Sequence, residues 1–216
     1  MRDVKEVLMQ VKRLKDKAKA NRDFGDLEEA LDHLREATGL LEPHAENTEY
    51  RTKIRQELAD CYGMMGGIYR RQGKLEEAGN KYRRGLHYED DDSYNLSNSV
   101  VIPILIDPLR LESQQTKTRI EDGITIVQEQ VRGRRKDEWW AWADLGLFNL
   151  LQGNKKAALE AYSQFGKVGA RPQDYESTIL VLNNLLDKLQ TAGSPSVKSV
   201  AESVEDAIIV LNKNRT

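Results

Sequence analysis

The fold is decided by the stretch from Ala59 to Tyr82, which reads "ADCYGMMGGIYRRQGKLEEAGNKY". Small residues stand between two aromatic residues in its first half, and Gly73 is followed at fixed spacing by Ala78 and Tyr82. Small side chains let two helix backbones approach closely, and a glycine can end a helix in the left-handed conformation. The stretch therefore predicts two antiparallel helices that are joined by a turn at Gly73.

The same pattern recurs on both sides of this stretch. "FGDLEEALDHL" around Gly25 and "QGNKKAALEAY" around Gly153 keep the spacing of glycine, alanine and a large residue. The residues from Tyr62 to Tyr69 and from Trp142 to Asn149 also fit the first half of the tetratricopeptide (TPR) pattern. We therefore predict an all-α fold, a TPR-like α-solenoid of antiparallel helix pairs.

The repeat frame predicts how the chain is organised. Gly25, Gly73 and Gly153 lie further apart than the period of about 34 residues that TPR units keep, so divergent helices must fill the gaps. We expect a single domain over residues 1–216 with repeat units near 4–42, 50–88 and 139–168, a divergent helical pair at 92–135, and C-terminal helices at 173–213.

Composition excludes several classes of protein. The 216 residues carry a net charge of −2, with 31% charged and 39% hydrophobic residues, which is typical of one soluble globular unit. The N-terminal stretch lacks the apolar core of a signal peptide, and no apolar run is long enough to cross a bilayer, so we expect a cytoplasmic protein without a membrane partner. A nearly neutral charge disfavours general nucleic-acid binding.

Residues that could carry catalysis do not form a known constellation. His33, His44 and His87 stand singly, without the spacing of metal ligands, and the lone Cys61 has no evident activating partner. "GMMGG" lacks the Gly-Lys-Ser/Thr end of a phosphate loop, and no serine lies in a Gly-x-Ser-x-Gly elbow. We expect no enzyme, no catalytic residue, no metal and no cofactor.

Three segments together resemble one family. They are "DSYNLSNSVVIPILIDP" from Asp92, "DEWWAWADLGLFNLLQGNKKAALEAYSQF" from Asp137 and "YESTILVLNNLLDKL" from Tyr175. Over most of residues 50–190 the chain resembles the TPR sensor module of bacterial conflict and antiphage systems, which is related to the central regulatory region of apoptosis signal-regulating kinases.

The resemblance implies a role in bacterial antiviral defence. It implies a receptor that binds a nucleotide-derived second messenger in a concave groove. The receptor would license a fused or neighbouring effector, for example a caspase-like protease, by a change in curvature or by self-association as a homo-oligomer.

The polar residues that follow the acidic run predict part of the ligand site. Asp92 or Ser93 can cap a helix, and Tyr94, Asn95 and Asn98 are then expected to face a concave pocket and hydrogen-bond a polar ligand. The alternative is an asparagine-rich cap at a helix start, which needs no ligand.

The repeat frame adds cations and an aromatic ring to this site. Because the first helix of each TPR pair lines the concave surface, Lys15, Lys19 and Arg70 are predicted to hold phosphate and Trp140 to stack on a ring. Trp139 and Trp142 are predicted to belong to the core. The alternative for the lysines is a solvated face beside the apolar stripe Val4, Val7, Val11, Leu14 and Ala18.

A peptide-binding TPR scaffold is the rival function. TPR domains that clamp a C-terminal carboxylate use asparagines beside lysine on their first helices. The equivalent inward positions here are Lys15, Lys19 and Met64, so that clamp is disfavoured while other peptide modes stay open.

Overall fold

The structure is a computed structural model that describes residues 3–215, so the predicted range of 1–216 extends slightly beyond it. This part of the chain is all helical and contains no strand, which confirms the all-α prediction. The ten α-helices of the described part are α1 (Val4–Phe24), α2 (Leu27–Leu41), α3 (Arg51–Arg71), α4 (Leu75–Tyr88), α5 (Ser93–Ile106), α6 (Gln114–Arg132), α7 (Trp139–Leu151), α8 (Lys155–Lys167), α9 (Pro172–Gln190) and α10 (Pro195–Asn214). Short 3-10 helices lie at Glu42–His44 and Pro108–Glu112.

The chain forms two compact units, and the division between Leu96 and Ser97 falls inside α5. In the first unit α1 packs against α2, α2 against α3, and α3 against α4. The apolar stripe that the sequence predicts on α1 is buried in the core of this unit, which includes Val11, Ala18 and Leu58.

In the second unit neighbouring helices also pack in pairs. Helix α6 packs against α7, α7 against α8, and α9 against α10, while α10 also contacts α8. Phe148 of α7 lies so close to Gly123 of α6 that an added Cβ there would be 2.5 Å from its ring. Phe165 and Tyr175 meet edge to face with ring centroids 4.7 Å apart.

The three predicted turn glycines have the predicted conformation. Gly25, Gly73 and Gly153 have φ angles of 95°, 74° and 83°, in the left-handed region. At each turn the next residue's N–H donates to a carbonyl five positions back, as in Lys74 N to Tyr69 O at 2.9 Å. This is the Schellman arrangement, which satisfies helix-end carbonyls that would otherwise lack a donor.

The close approach of the paired helices is also confirmed. A Cβ added at Gly66 would lie 2.7 Å from Cε1 of Tyr82, and one added at Gly146 would lie 2.6 Å from Cζ of Tyr162. Both tyrosines are fully buried. Each ring therefore packs on the glycine of its own helix pair.

Among residues 3–215, no helix combines the length and apolar character that a membrane span needs.

Candidate functional site

The candidate site is one face of α3 in the first unit, which carries Gly63, Gly67 and Arg70; we call this face the α3 strip. Gly63, Gly67 and Arg70 are spaced by four and three positions, so they share one helix face. Tyr94, in the first turn of α5, lies along this strip. A Cβ at Gly63 would be 3.3 Å from its Cδ1, and a Cβ at Gly67 would be 3.1 Å from its hydroxyl oxygen. The ring therefore runs along α3 towards the helical turn that carries Arg70.

Tyr94 is the exposed member of a tyrosine pair. Its side chain is 38% exposed, and its ring meets the fully buried Tyr82 edge to face with centroids 5.8 Å apart. Burial, with a smaller contribution from Tyr94, raises the pKa of Tyr82 well above its ordinary value. Gly67 and Arg70 are both half-buried, so neither is fully covered by the protein.

Asn95 lies beneath this surface. It is 1% exposed, and its Nδ2 donates to the Ala59 carbonyl at 3.0 Å. The amide fills the space between Gly63 of α3 and Gly85 of α4. Its backbone N–H donates to Asp92 Oδ1 at 2.7 Å, which confirms the predicted cap. The Asn95 amide, which the sequence predicts to bind a ligand, thus donates its hydrogen bond to a backbone carbonyl of the protein itself.

Lys15 joins α1 to α3. Its Nζ lies 2.6 Å from Glu57 Oε2 and also pairs with Asp60, and the side chain is 13% exposed. Burial lowers the pKa of Lys15, but the two carboxylates outweigh burial and raise its pKa above the ordinary value. Lys19, one helical turn further along α1, is exposed and forms no ion pair within the described residues. Of the two predicted lysines, Lys19 is the one that presents its charge to solvent.

Asn98 belongs to the second unit and is 6% exposed. The polar residues beside it on α5 have partners on α6 and α7. The Ser97 hydroxyl donates to Asp144 Oδ1 at 2.8 Å, and Arg119 Nη2 donates to the Ser99 hydroxyl oxygen at 2.7 Å. Burial of polar groups requires such partners, so this segment of α5 is a polar part of the interior.

Trp140, also in the second unit, is half-buried beneath a guanidinium. The Arg135 Cζ lies 4.7 Å from the centroid of its ring, within the range of a cation–π contact. Arg135 Nη1 also donates to Oε1 of the buried Gln130 at 2.9 Å. The sequence analysis missed Arg135, although the run "GRRKDEWW" places several cations just before the tryptophans.

The prediction that Trp139 and Trp142 are core residues was wrong, because both are half-buried. Trp139 meets Phe165 edge to face with centroids 5.7 Å apart. Trp142 Nε1 donates to the Lys136 carbonyl at 2.8 Å. The acceptor lies in the loop before α7, so this hydrogen bond ties the half-buried ring to that loop.

A carboxylate held by two tyrosines lies elsewhere in the first unit. Glu42 Oε1 accepts from the Tyr62 hydroxyl at 2.7 Å, from the Tyr88 hydroxyl at 3.3 Å and from Arg84 Nη2 at 3.4 Å. The hydrogen bond from Tyr62 contributes most to lowering the pKa of Glu42. The sequence analysis did not find this cluster, because it treated Tyr62 only as a packing residue of the repeat.

The second unit also contains an open cleft of about 520 Å³. Both apolar side chains, such as Ile120 and Leu151, and charged ones, such as Lys117 and Glu121, line it. Glu112 accepts hydrogen bonds from the hydroxyls of Ser194 and Ser196 at the start of α10. None of the predicted site residues lines this cleft.

Within residues 3–215, no group of three or more His, Cys, Asp or Glu side chains is arranged to hold a metal ion. Burial raises the pKa of the Cys61 thiol to about 12, so the thiol is protonated at neutral pH.

A search of known proteins found no matching protein-family model and no matching curated protein.

Proposed function

We propose that the chain is a non-catalytic sensor module that binds a nucleotide-derived second messenger and controls an effector in bacterial immunity. In this proposal its helix pairs stack as a TPR-like α-solenoid, and the protein works in the cytoplasm on a partner such as a caspase-like protease. The observation that carries the proposal is the ring of Tyr94 lying over Gly63 and Gly67 towards Arg70.

The chemistry of this surface suits a nucleotide. A half-exposed ring can stack on a base, and base–aromatic stacking contributes about 1–3 kcal/mol per base. Arg70 can make charge-assisted hydrogen bonds to phosphate, which are worth about 1.5–3 kcal/mol each.

The other predicted ligand residues take different parts in the proposal. Lys19 adds a second, exposed charge in the first unit. Lys15 fixes α1 on α3 through Glu57 and Asp60, so it positions Lys19 and does not itself hold phosphate. Asn98 and Trp140 belong to the second unit, where Trp140 with Arg135 offers a further ring and cation to a ligand.

The test is calorimetric titration of NAD-derived compounds, cyclic ADP-ribose isomers, cyclic oligonucleotides and mononucleotides. The proteins are the wild type, Arg70→Ala and the matched control Arg83→Ala. Arg83 lies on the exposed face of α4, where it donates to Asn80, so this variant removes the same charge away from the strip.

We expect Arg70→Ala to weaken binding of the active compound at least tenfold, since about 1.4 kcal/mol corresponds to tenfold in affinity. The loss should shrink as salt screens the contact, and Arg83→Ala should bind as the wild type does. Equal loss in both variants would contradict a site on the strip. Tight binding of an extended effector peptide, with no binding of any nucleotide, would replace the sensor with the scaffold.

A further inference from the structure

The open cleft of the second unit has the size of a small-molecule site. Its volume of about 520 Å³ lies within the range of about 300–1,000 Å³ that ligand pockets span. Every residue that lines it belongs to the second unit. We call this space, which is bounded by Ile120 of α6, Leu151 of α7 and Ser199 of α10, the α6–α10 cleft.

The lining of the α6–α10 cleft has an apolar part and a charged part. Ile120, Leu151 and Val200 are buried, whereas Lys117 and Glu121 are exposed. The apolar side chains therefore face the inner part of the cleft, and the charged groups lie on the side that is open to solvent. A ligand that matches this division has an apolar body, whose burial is favourable, and a charged or polar end.

Glu112 brings an oriented carboxylate to this cleft. Its Oε1 accepts hydrogen bonds from the hydroxyls of Ser194 and Ser196. The bond from Ser194, followed by that from Ser196, lowers the pKa of Glu112, because both bonds favour the ionised form. Since both bonds use Oε1, the second oxygen, Oε2, has no hydrogen-bond partner within the described residues. That oxygen can accept from a ligand.

The charges that line the cleft favour a cation. Glu121 is exposed, and its carboxylate forms no hydrogen bond or ion pair within the described residues. Lys117 is the one cationic residue among the described residues that line the cleft, and its charge contributes to lowering the pKa of Glu112. Two carboxylates and one ammonium leave one negative charge in excess. A bond from a cationic N–H to a carboxylate is about twice as strong as one between neutral groups.

We propose that the α6–α10 cleft binds a small organic amine, with its ammonium group on Glu112 and Glu121 and its apolar body against Ile120, Leu151 and Val200. A neutral analogue of the same shape would lose the charged contact, and an anion would be repelled by the two carboxylates. The cleft therefore selects ligands by charge. This inference does not rest on the proposed function, whose site in the first unit uses a cation to hold phosphate.

The experiment is titration of the full chain with phenethylamine, phenethyl alcohol and phenylacetate, followed by two-dimensional NMR of the isotopically labelled protein. These probes share a phenyl ring and differ in the charge at the end of a short chain. We expect the amine to shift the amide signals of Gly153 and Ser199, which line the cleft. It should bind about fivefold more tightly than the alcohol, and phenylacetate should bind most weakly.

Four charge variants test the assignment of the residues. Glu112→Gln keeps an acceptor for the two serines but removes the charge, and Glu121→Gln removes the second carboxylate. Each should weaken amine binding about threefold at low salt and leave alcohol binding unchanged. Lys117→Gln should tighten amine binding, because it removes the competing cation. Glu205→Gln is the matched control, since Glu205 is an exposed carboxylate of α10 that does not line the cleft, and it should bind as the wild type does.

Ser199→Trp tests the cleft itself. Ser199 is exposed and lines the cleft, so a large side chain there has open space to occupy. Binding of the amine and the alcohol should be lost, while the urea midpoint of unfolding stays near that of the wild type.

Three results would refute the proposal: equal binding of phenethylamine and phenylacetate, shifts confined to residues outside the cleft, or no shift at millimolar amine. Glu121→Gln decides the matter if Glu112→Gln loosens the start of α10, because the Glu121 carboxylate has no partner within the described residues. Unchanged amine binding in Glu121→Gln and Lys117→Gln would then contradict selection by charge.

Discussion

The ring of Tyr82 packs directly on the backbone of Gly66, where an added Cβ would lie 2.7 Å from Cε1 and 2.8 Å from Cζ of the ring. Tyr162 has the same relationship to Gly146. Because an aromatic ring is rigid and Tyr82 is fully buried, neither partner can give way without a shift of α3 against α4.

Gly66→Ala should therefore destabilise the protein by about 1–3 kcal/mol, the usual cost of overpacking a core. Gly39→Ala is the control, because that helical glycine has nothing within 4 Å of its added Cβ. It should be neutral or stabilise by up to about 1 kcal/mol through helix propensity. Urea unfolding followed by circular dichroism measures both, and equal stability of the two variants would show that the contact is not tight.

Gly153→Ala tests backbone strain without a clash. The φ of Gly153 is 83°, yet an added Cβ there meets nothing within 4 Å. An L-residue in the left-handed region costs about 1–2 kcal/mol, so the variant should lose that much stability with unchanged helicity. Thermal unfolding should show the loss, and Gly153→Asn should recover part of it because asparagine tolerates this conformation. If Gly153→Ala melted at the same temperature as the wild type, residue 153 would not be held in the left-handed conformation.

Lys15→Met should remove a pH-dependent contribution to stability. Burial raises the pKa of Glu57, but the hydrogen bonds from Lys15 and Lys53 outweigh burial and hold it below its ordinary value. The contribution is therefore complete above the unfolded pKa of about 4.3 and is lost as the pH falls through the folded pKa. We expect Lys15→Met to cost about 1–3 kcal/mol at pH 7.

The loss of stability caused by Lys15→Met should decrease as the carboxylates of Glu57 and Asp60 are protonated. Denaturant unfolding at pH 7 and pH 3 therefore tests whether Lys15 stabilises the protein through these ion pairs. Lys12→Met is the control, because Lys12 is exposed and forms no ion pair within the described residues. If Lys15→Met lost the same stability at both pH values, the ion pairs of Lys15 would not be the source of that stability.

Cys61 should be inert in the native protein. Its side chain is buried, and burial raises the pKa of its thiol to about 12, so thiolate is scarce at pH 8. A disulfide reagent should react with it at the rate of unfolding, and at once in denaturant. Fast reaction in native buffer would show that the interior between α1 and α3 opens readily.

The repeat glycines and the helix pairs could be predicted because their signals are local. Gly25, Gly73 and Gly153 act within a few residues of themselves, because each ends its helix in the left-handed conformation that glycine permits. The same holds for the cap at Asp92, which binds an N–H three positions away.

The partners of buried polar groups could not be predicted in this way. Asn95 meets the Ala59 carbonyl across 36 positions, and Lys15 meets Glu57 across 42. No spacing rule on a single helix encodes such a contact. Sequence reasoning therefore identified the unusual polar residues of α5, but it assigned to a ligand several side chains that the protein itself engages.

The Gly66–Tyr82 contact also bears on how the protein is made. Gly66 and Tyr82 are 16 positions apart, as are Gly146 and Tyr162. Contacts between near neighbours in sequence lose little entropy on loop closure and favour rapid folding. A nascent chain can form each tyrosine–glycine contact once a single helical hairpin has left the ribosome, so packing can begin while the rest is still being synthesised.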